Sequence, residues 1–357
     1  MNKMSFYNMA REKIIDFSSK DPAAIIAREQ GVLGLTRILM CMESLGLDSS
    51  DVFLVALPDF TYTRNMSRWN AGFPYGCIIT LGKTNPLFIP IDFRPNCCGV
   101  IFVKIQGSIG DGINYVKKYH EFINRNDEIA KTDFNRRNHF IGIYEDKLTG
   151  EYYGLIHGSF AFIKKAMYSE HNERLYQITK KQQILGSQFL YLQGKEAEEY
   201  YNEYMCMEKK SIEYRRQIAE YIFTDCKIIF HGIHEGFHGK NTILLGAYAS
   251  CIPFEYPMML SPEMNLPIVL SNIPVELGKN KFFCAPHGGG YGLSNVQSAE
   301  HMENEYLLKF GNGSKMITNN IIDMPFYYRN NVDEVWCSEY RMGMPKQELV
   351  PIYNFKV

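Results

Sequence analysis

The segment Phe283-Cys284-Ala285-Pro286-His287-Gly288-Gly289-Gly290-Tyr291-Gly292-Leu293-Ser294-Asn295 sets a histidine directly before three glycines. Glycine lets the backbone approach a ligand closely, adopts positive φ and exposes N–H groups that gather around an anion. An imidazole presented in this way can attack phosphorus, ligate a metal or sit in a turn. The segment alone leaves the three open.

Working outward, short apolar runs alternate with helical stretches. Residues 22–46 have the apolar spacing of a helix that ends near Gly46. Val52–Leu57 reads as a buried strand closed by Pro58-Asp59, and Cys77–Leu81 as another. Leu87–Val103 holds two further strand candidates, and residues 111–127 read as an amphipathic helix. Residues 138–144 and 153–159 read as paired strands across the turn Lys147-Leu148-Thr149-Gly150. The longest helix spans about Gly194 to Phe223; a strand at Lys227–Phe230 and an apolar run at Thr242–Ala249 follow. No repeat or linker interrupts the 357 residues, so the expectation is a mixed α/β (α+β) fold in a single domain, 1–357.

Composition narrows the function classes. A net charge of −1 gives no strongly basic field for nucleic acid, although a local basic groove is compatible with it. The apolar runs fall short of the ~18 residues that span a bilayer. The N-terminus carries no apolar signal-like core, and the nine cysteines show no CxxC spacing. The expectation is a cytoplasmic protein with no membrane partner.

Of nine histidines, His139, His157 and His231 lie within or at the ends of apolar strand-like runs, and Cys98 sits at a glycine turn. One such histidine is ordinarily a satisfied core residue; three with a cysteine offer the imidazole and thiolate ligands of Mn, Fe, Co and Zn sites. His234-Glu235-Gly236-Phe237-His238 matches HExxH, but that protease chemistry needs a helix, and Gly232, Gly236 and Gly239 argue for a loop. The loop Thr61–Ala71, with Arg64, Arg68 and Trp69, can contact RNA by stacking and charge or pack on the surface.

In order along the chain, several short motifs resemble the RtcB RNA ligases. Pro58-Asp59 followed by Gly72-Phe73-Pro74-Tyr75-Gly76 is similar to the family's "PDxH…GxPIG", and Asn96-Cys97-Cys98-Gly99 to its "DxxCG". Asn138-His139-Phe140 resembles "GNHF", Ile156-His157 resembles "IHSGSRG", and Tyr214-Arg215-Arg216-Gln217 resembles the "ANRE" helix. His231 stands where the "HN" ligand is expected, His287-Gly288-Gly289-Gly290 resembles "HGAGR", and Lys356 resembles the closing "IKG" lysine.

The resemblance implies an RNA ligase that uses GTP and one or two Mn²⁺ ions to join a 2′,3′-cyclic phosphate or 3′-phosphate end to a 5′-hydroxyl, in tRNA splicing or RNA repair. His287 would be the nucleophile that carries GMP. Cys98, His139, His157 and His231 would hold metal, and Asn138, His231, His287, Gly288, Gly289, Gly290 and Lys356 would meet the nucleotide. Broken tRNA or rRNA would be the partner, with room for an activating protein.

Departures are as specific as the matches. Pro95 replaces the metal aspartate, Gly142 the nucleotide-contacting glutamate, Gly232 the asparagine of "HN", and Tyr291 the arginine of "HGAGR". Asp92 and Asp59 are the candidates for the missing carboxylate. These losses keep two alternatives beside the ligase: an RNA-end-binding protein that forms no GMP adduct, and a metal-dependent cyclic phosphoesterase.

Overall fold

The computed structural model describes residues 3–126, 132–134, 139–260, 262–271, 273–277, 280–302, 305–329 and 345–357. The fold is mixed α/β, with helices against several mostly antiparallel sheets. Three of these sheets position the site.

The largest has seven strands in the order Cys226–Ile233, Gly99–Ile105, Glu151–Gly158, Phe140–Asp146, Gln347–Phe355, Leu266–Leu270 and Glu255–Pro257. Its hairpin turns at Lys147–Gly150, as the sequence predicts, where Asp146 accepts from the Leu148 N–H and the Thr149 hydroxyl. The register sets Gly99 opposite Gly158 and Phe140 opposite His157. Cys98, His139 and His157 therefore meet at one end of the sheet.

A five-stranded sheet runs in the order Ile14–Asp16, Val52–Thr61, Tyr75–Leu81, Thr242–Leu245 and Glu235–Phe237. Pro58 does not close the Val52 strand. The chain continues to Thr61 with its register broken between Ala56 and Thr61, and Asp59 lies in that irregular stretch. The predicted run Thr242–Ala249 divides at Gly246, which has left-handed backbone at φ 70°. Its second half, Ala247–Ser250, joins a three-stranded sheet with Asn280–Pro286 and Ile273–Leu277.

Two long helices pack on these layers. Pro22–Ser44 begins at Asp21, whose carboxylate accepts from the Ala23 and Ala24 N–H groups. It is buried nearly all round because it lies between the five-stranded sheet and neighbouring segments. At Gly34 a Cβ would lie 2.1 Å from the Gly72 carbonyl oxygen, so only glycine lets this helix touch the following loop. Lys195–Phe223 matches its predicted span and buries Tyr200, Tyr204, Ser211, Arg215, Ile218 and Ile222. Among the described residues no helix is long and apolar enough to cross a membrane.

Asp92, in the short 3₁₀ turn Ile91–Phe93, accepts from the Leu190 N–H and lies near Arg94 and Arg37. Burial raises its carboxyl from 3.8 to about 6, against the pull of Arg94, the Leu190 N–H and Arg37. Because the folded state holds the proton more tightly than the unfolded chain, stability falls as pH rises from about 4 to about 6. Asp92→Asn is expected to remove that slope and stabilise the protein at pH 7 by about 1–3 kcal/mol. Urea titrations of both proteins at pH 4, 5, 6 and 7 check it; parallel pH profiles would contradict the assignment.

Candidate metal and histidine centre

The strand beginning at Cys226 extends beyond Phe230 to Ile233, which pairs with Gly99. The residue opposite Cys98 is therefore His234, whose N–H donates to the Cys98 carbonyl at 2.9 Å. This corrects the expectation for His231. That residue pairs with Ile101 within the sheet, and its Nε2 accepts from Arg215 Nε at 3.3 Å. Burial, then Arg215 and Arg216, hold His231 down at about 3, so it is a neutral acceptor.

Cys98, His157 and His234 form a buried group whose ligand atoms all lie within 4.8 Å of one another. Cys98 Sγ is also 3.2 Å from His139 Nε2 and 3.4 Å from His157 Nε2. Both ring nitrogens of His234 are buried without a hydrogen-bond partner. Burial, followed by His287, His157, His139 and Arg215, pushes His234 well below 6.5, leaving a neutral ring. A buried neutral imidazole beside a thiol and a second imidazole fits a transition metal. Among the described residues this group has no carboxylate. Asp92 is not one of its members, and Asp59 is hydrogen-bonded to His287.

His139 is held from behind. Its Nδ1 lies 2.8 Å from Asp133 Oδ1, and Asp133 also accepts from the Ser159 hydroxyl and from Lys164. Burial lowers the ring, but Cys98 and the Asp133 carboxylate outweigh it and lift His139 to about 10. A metal that takes His139 Nε2 must displace this proton. Affinity at that position is thus expected to rise with pH, by roughly tenfold per unit between about pH 6 and pH 9. Competition titrations with a chelator of known affinity check this, and a flat profile would contradict it.

The rings continue toward His287. Centroids are 4.9 Å apart for His139–His157, 5.1 Å for His157–His234 and 4.9 Å for His234–His287. His287 is fully buried. Its Nδ1 lies 2.7 Å from Asp59 Oδ2, and its Nε2 has no partner. Asp59 Oδ2 also accepts from the Gly288 N–H at 3.1 Å. Gly288 has φ 102°, and a Cβ there would lie 2.4 Å from the Met259 carbonyl oxygen, so glycine is obligatory after the histidine.

Gly290, His139 and the buried His287 are among the residues lining a cleft of about 270 Å³. Arg64, Arg68, Lys164, Asp133, Glu235 and Tyr75 also line it. Arg68 is buried and gives Nη2 to Glu235 Oε2 at 3.1 Å and to the Arg94 carbonyl at 3.0 Å. Glu235–Phe237 is a strand, so the HExxH match has neither the helix nor a free glutamate that protease chemistry needs. Trp69 gives its Nε1–H to Tyr306. Of the three loop residues weighed for RNA contact, Arg64 alone is half-exposed; its guanidinium lies 4.1 Å from the Phe326 ring centre, and among the described residues it pairs with no carboxylate.

Other candidates separate. Gly289 is buried beside Gly288. Asn138 lies outside the described residues. Lys356 is exposed beyond the strand end Phe355 and is not among the residues lining the cleft. Gly142 has no room for a longer residue, since a Cβ would lie 2.6 Å from the Tyr144 ring. Sequence reading missed His234, the Arg68–Glu235 pair and Asp133; the HExxH match was the signal that contained two of these residues. No known family profile and no curated protein matches the chain.

Proposed function

We propose that the chain is a divergent member of the RtcB family and joins RNA ends through GMP carried on His287. The observation that carries this reading is the presentation of His287: Nδ1 is fixed by a buried carboxylate, and Nε2 is bare beside the Cys98–His157–His234 group. With the Nδ1 proton directed at Asp59, a neutral ring keeps its lone pair on Nε2. Attack on the α-phosphorus of GTP forms an N–P bond and breaks the P–O bond to pyrophosphate. Asp59 balances the positive charge that develops on the ring. Transfer to an RNA 3′-phosphate breaks the N–P bond, and attack by a 5′-hydroxyl then expels GMP. A cyclic phosphate is first opened by water. A metal bound by Cys98, His157 and His234 would supply charge to the phosphoryl oxygens and activate an attacking oxygen.

A second reading, a cyclic phosphoesterase that needs no nucleotide, is favoured by Gly142, where Tyr144 fills the space a guanine-contacting glutamate would need. One experiment separates them. Metal-loaded protein incubated with α-phosphate-labelled GTP should carry acid-labile label on a denaturing gel. Absence of label, from protein shown to contain metal, would overturn the ligase reading, and release of a 3′-phosphate or 2′-phosphate from a cyclic-phosphate RNA by the same protein would then support the phosphoesterase.

A further inference from the structure

The strand Gly99–Ile105 starts beside Cys98 and ends, about 20 Å away, at a second pocket. This pocket has a volume of about 550 Å³, within the range of small-molecule sites. It lies where that strand end meets the start of the helix Gly112–Arg125 and the end of the helix Lys195–Phe223. Its floor is apolar: Ile105, Tyr115 and Phe223 are buried there, and the two ring centroids are 6.1 Å apart. Its rim is polar. Asn114, Lys117 and Glu121 recur every three or four residues on one helix face, and Thr224 and Asp225 form the turn after the long helix.

The rim carries both signs of charge, and they are not spent on each other. Lys118 serves the end of the long helix: its Nζ donates to the Thr224 hydroxyl at 2.6 Å and to the Ile222 carbonyl at 3.4 Å, which answers the negative helix terminus. Lys117 and Glu121 have the four-residue spacing of a helical ion pair, yet among the described residues neither takes part in one. Glu121 accepts only from the Tyr221 hydroxyl, at 3.3 Å, and the Asp225 carboxylate has no partner among the described residues. Thr224 stands at φ 56°, left-handed backbone that β-branched residues rarely adopt. Threonine there keeps a hydroxyl on the rim where glycine would relax the turn.

We infer that this pocket binds a free α-amino acid with a large apolar side chain. The side chain lies on the Ile105–Tyr115–Phe223 floor, the carboxylate meets Lys117, and the ammonium meets Asp225 and Glu121. The sign pattern selects the class. Two carboxylates on the rim repel a polyphosphate, and two lysines repel a simple amine, whereas a zwitterion satisfies both. The apolar floor then favours a ligand with a body to bury over glycine-like ones. The site stands apart from the His287 cleft, and the inference does not rest on the ligase reading.

Isothermal titration of the full chain with L-phenylalanine tests it, beside three truncated probes. 3-Phenylpropionate lacks the ammonium, phenethylamine lacks the carboxylate, and glycine lacks the ring. Phenylalanine should bind most tightly, each single-charge analogue about fivefold more weakly, and glycine at least about tenfold more weakly. Lys117→Met should weaken phenylalanine by about fivefold and leave phenethylamine no weaker than before. Glu121→Gln combined with Asp225→Asn should weaken phenylalanine and leave 3-phenylpropionate no weaker. All three side chains are exposed, so these variants keep the fold.

No binding of phenylalanine at millimolar concentration would overturn the inference. Equal affinity for phenylalanine and its two single-charge analogues would reduce the pocket to an apolar depression and overturn it too. Tightest binding of phenethylamine would make this a cation site, and charge variants that bind phenylalanine like the parent would move the ligand elsewhere; either result overturns the assignment.

Discussion

Asp59→Ala is expected to slow formation of the labelled His287 adduct by about 10³–10⁴-fold, the scale seen when a histidine loses the carboxylate that fixes its tautomer. The size follows from what one oxygen does. Asp59 Oδ2 accepts from both His287 Nδ1 and the Gly288 N–H, while Oδ1 is buried with no hydrogen-bond partner. Alanine strands two buried donors and frees the ring to place its proton on Nε2, the attacking position. Asparagine keeps the shape but can turn its amide N–H toward Nδ1 and so hold the ring in the wrong tautomer, with the proton on Nε2. Asp59→Asn should therefore slow labelling on the same scale, about 10³–10⁴-fold. His287→Ala should carry no label at all. Single-turnover labelling across the three variants measures the order, and an Asp59→Ala rate within threefold of wild type would contradict the role.

Cys98→Ala is expected to abolish stoichiometric metal binding. Its sulfur lies within reach of His139 and His157 and belongs to the group with His234, so one substitution removes the atom common to all three imidazoles. The loss should exceed the roughly 10–100-fold typical of removing a group that only orients a ligand. Asp133→Asn, which touches metal only through His139, should stay within that range. The sulfur–nitrogen donor set also ranks the ions, with Co²⁺ and Zn²⁺ bound more tightly than Mn²⁺. Cobalt titration reads this directly, because a thiolate ligand adds a charge-transfer band that Cys98→Ala should lack. Full-strength binding in that variant would move the metal to another site.

Three of the site's side chains are legible in sequence because each lies close to a strand end. Cys98 precedes Gly99, His139 precedes Phe140, and His157 is the penultimate residue of its strand. Strand pairing then does the assembly, and apolar runs predict pairing well. His234 is harder, because choosing it over His231 requires knowing that the strand has a register shift between Ile228 and Phe230 and then runs three residues past Phe230. The Asp59–His287 pair joins residues 228 apart, and Arg68–Glu235 residues 167 apart. No local pattern encodes such partners. Most long helices and the central hairpin were readable from periodicity, whereas the short strands after residue 250 carry no comparable pattern. Pro58 is a further limit: proline closes a regular strand, but here the ladder is already irregular and the chain passes through it.

The main chain around His234 ties the site's parts together. The His234 N–H donates to Cys98, the His234 carbonyl accepts from Gly246 and Ala247, and the Gly246 carbonyl accepts from His287, whose own carbonyl accepts from Met259. These bonds cross from the seven-stranded sheet through the five-stranded one to the three-stranded one. The amides of residues 234, 246, 247, 259 and 287 should therefore exchange with deuterium as one slow set, through global opening rather than local fraying. A solvent-facing cleft would then sit on the last part of the molecule to come apart.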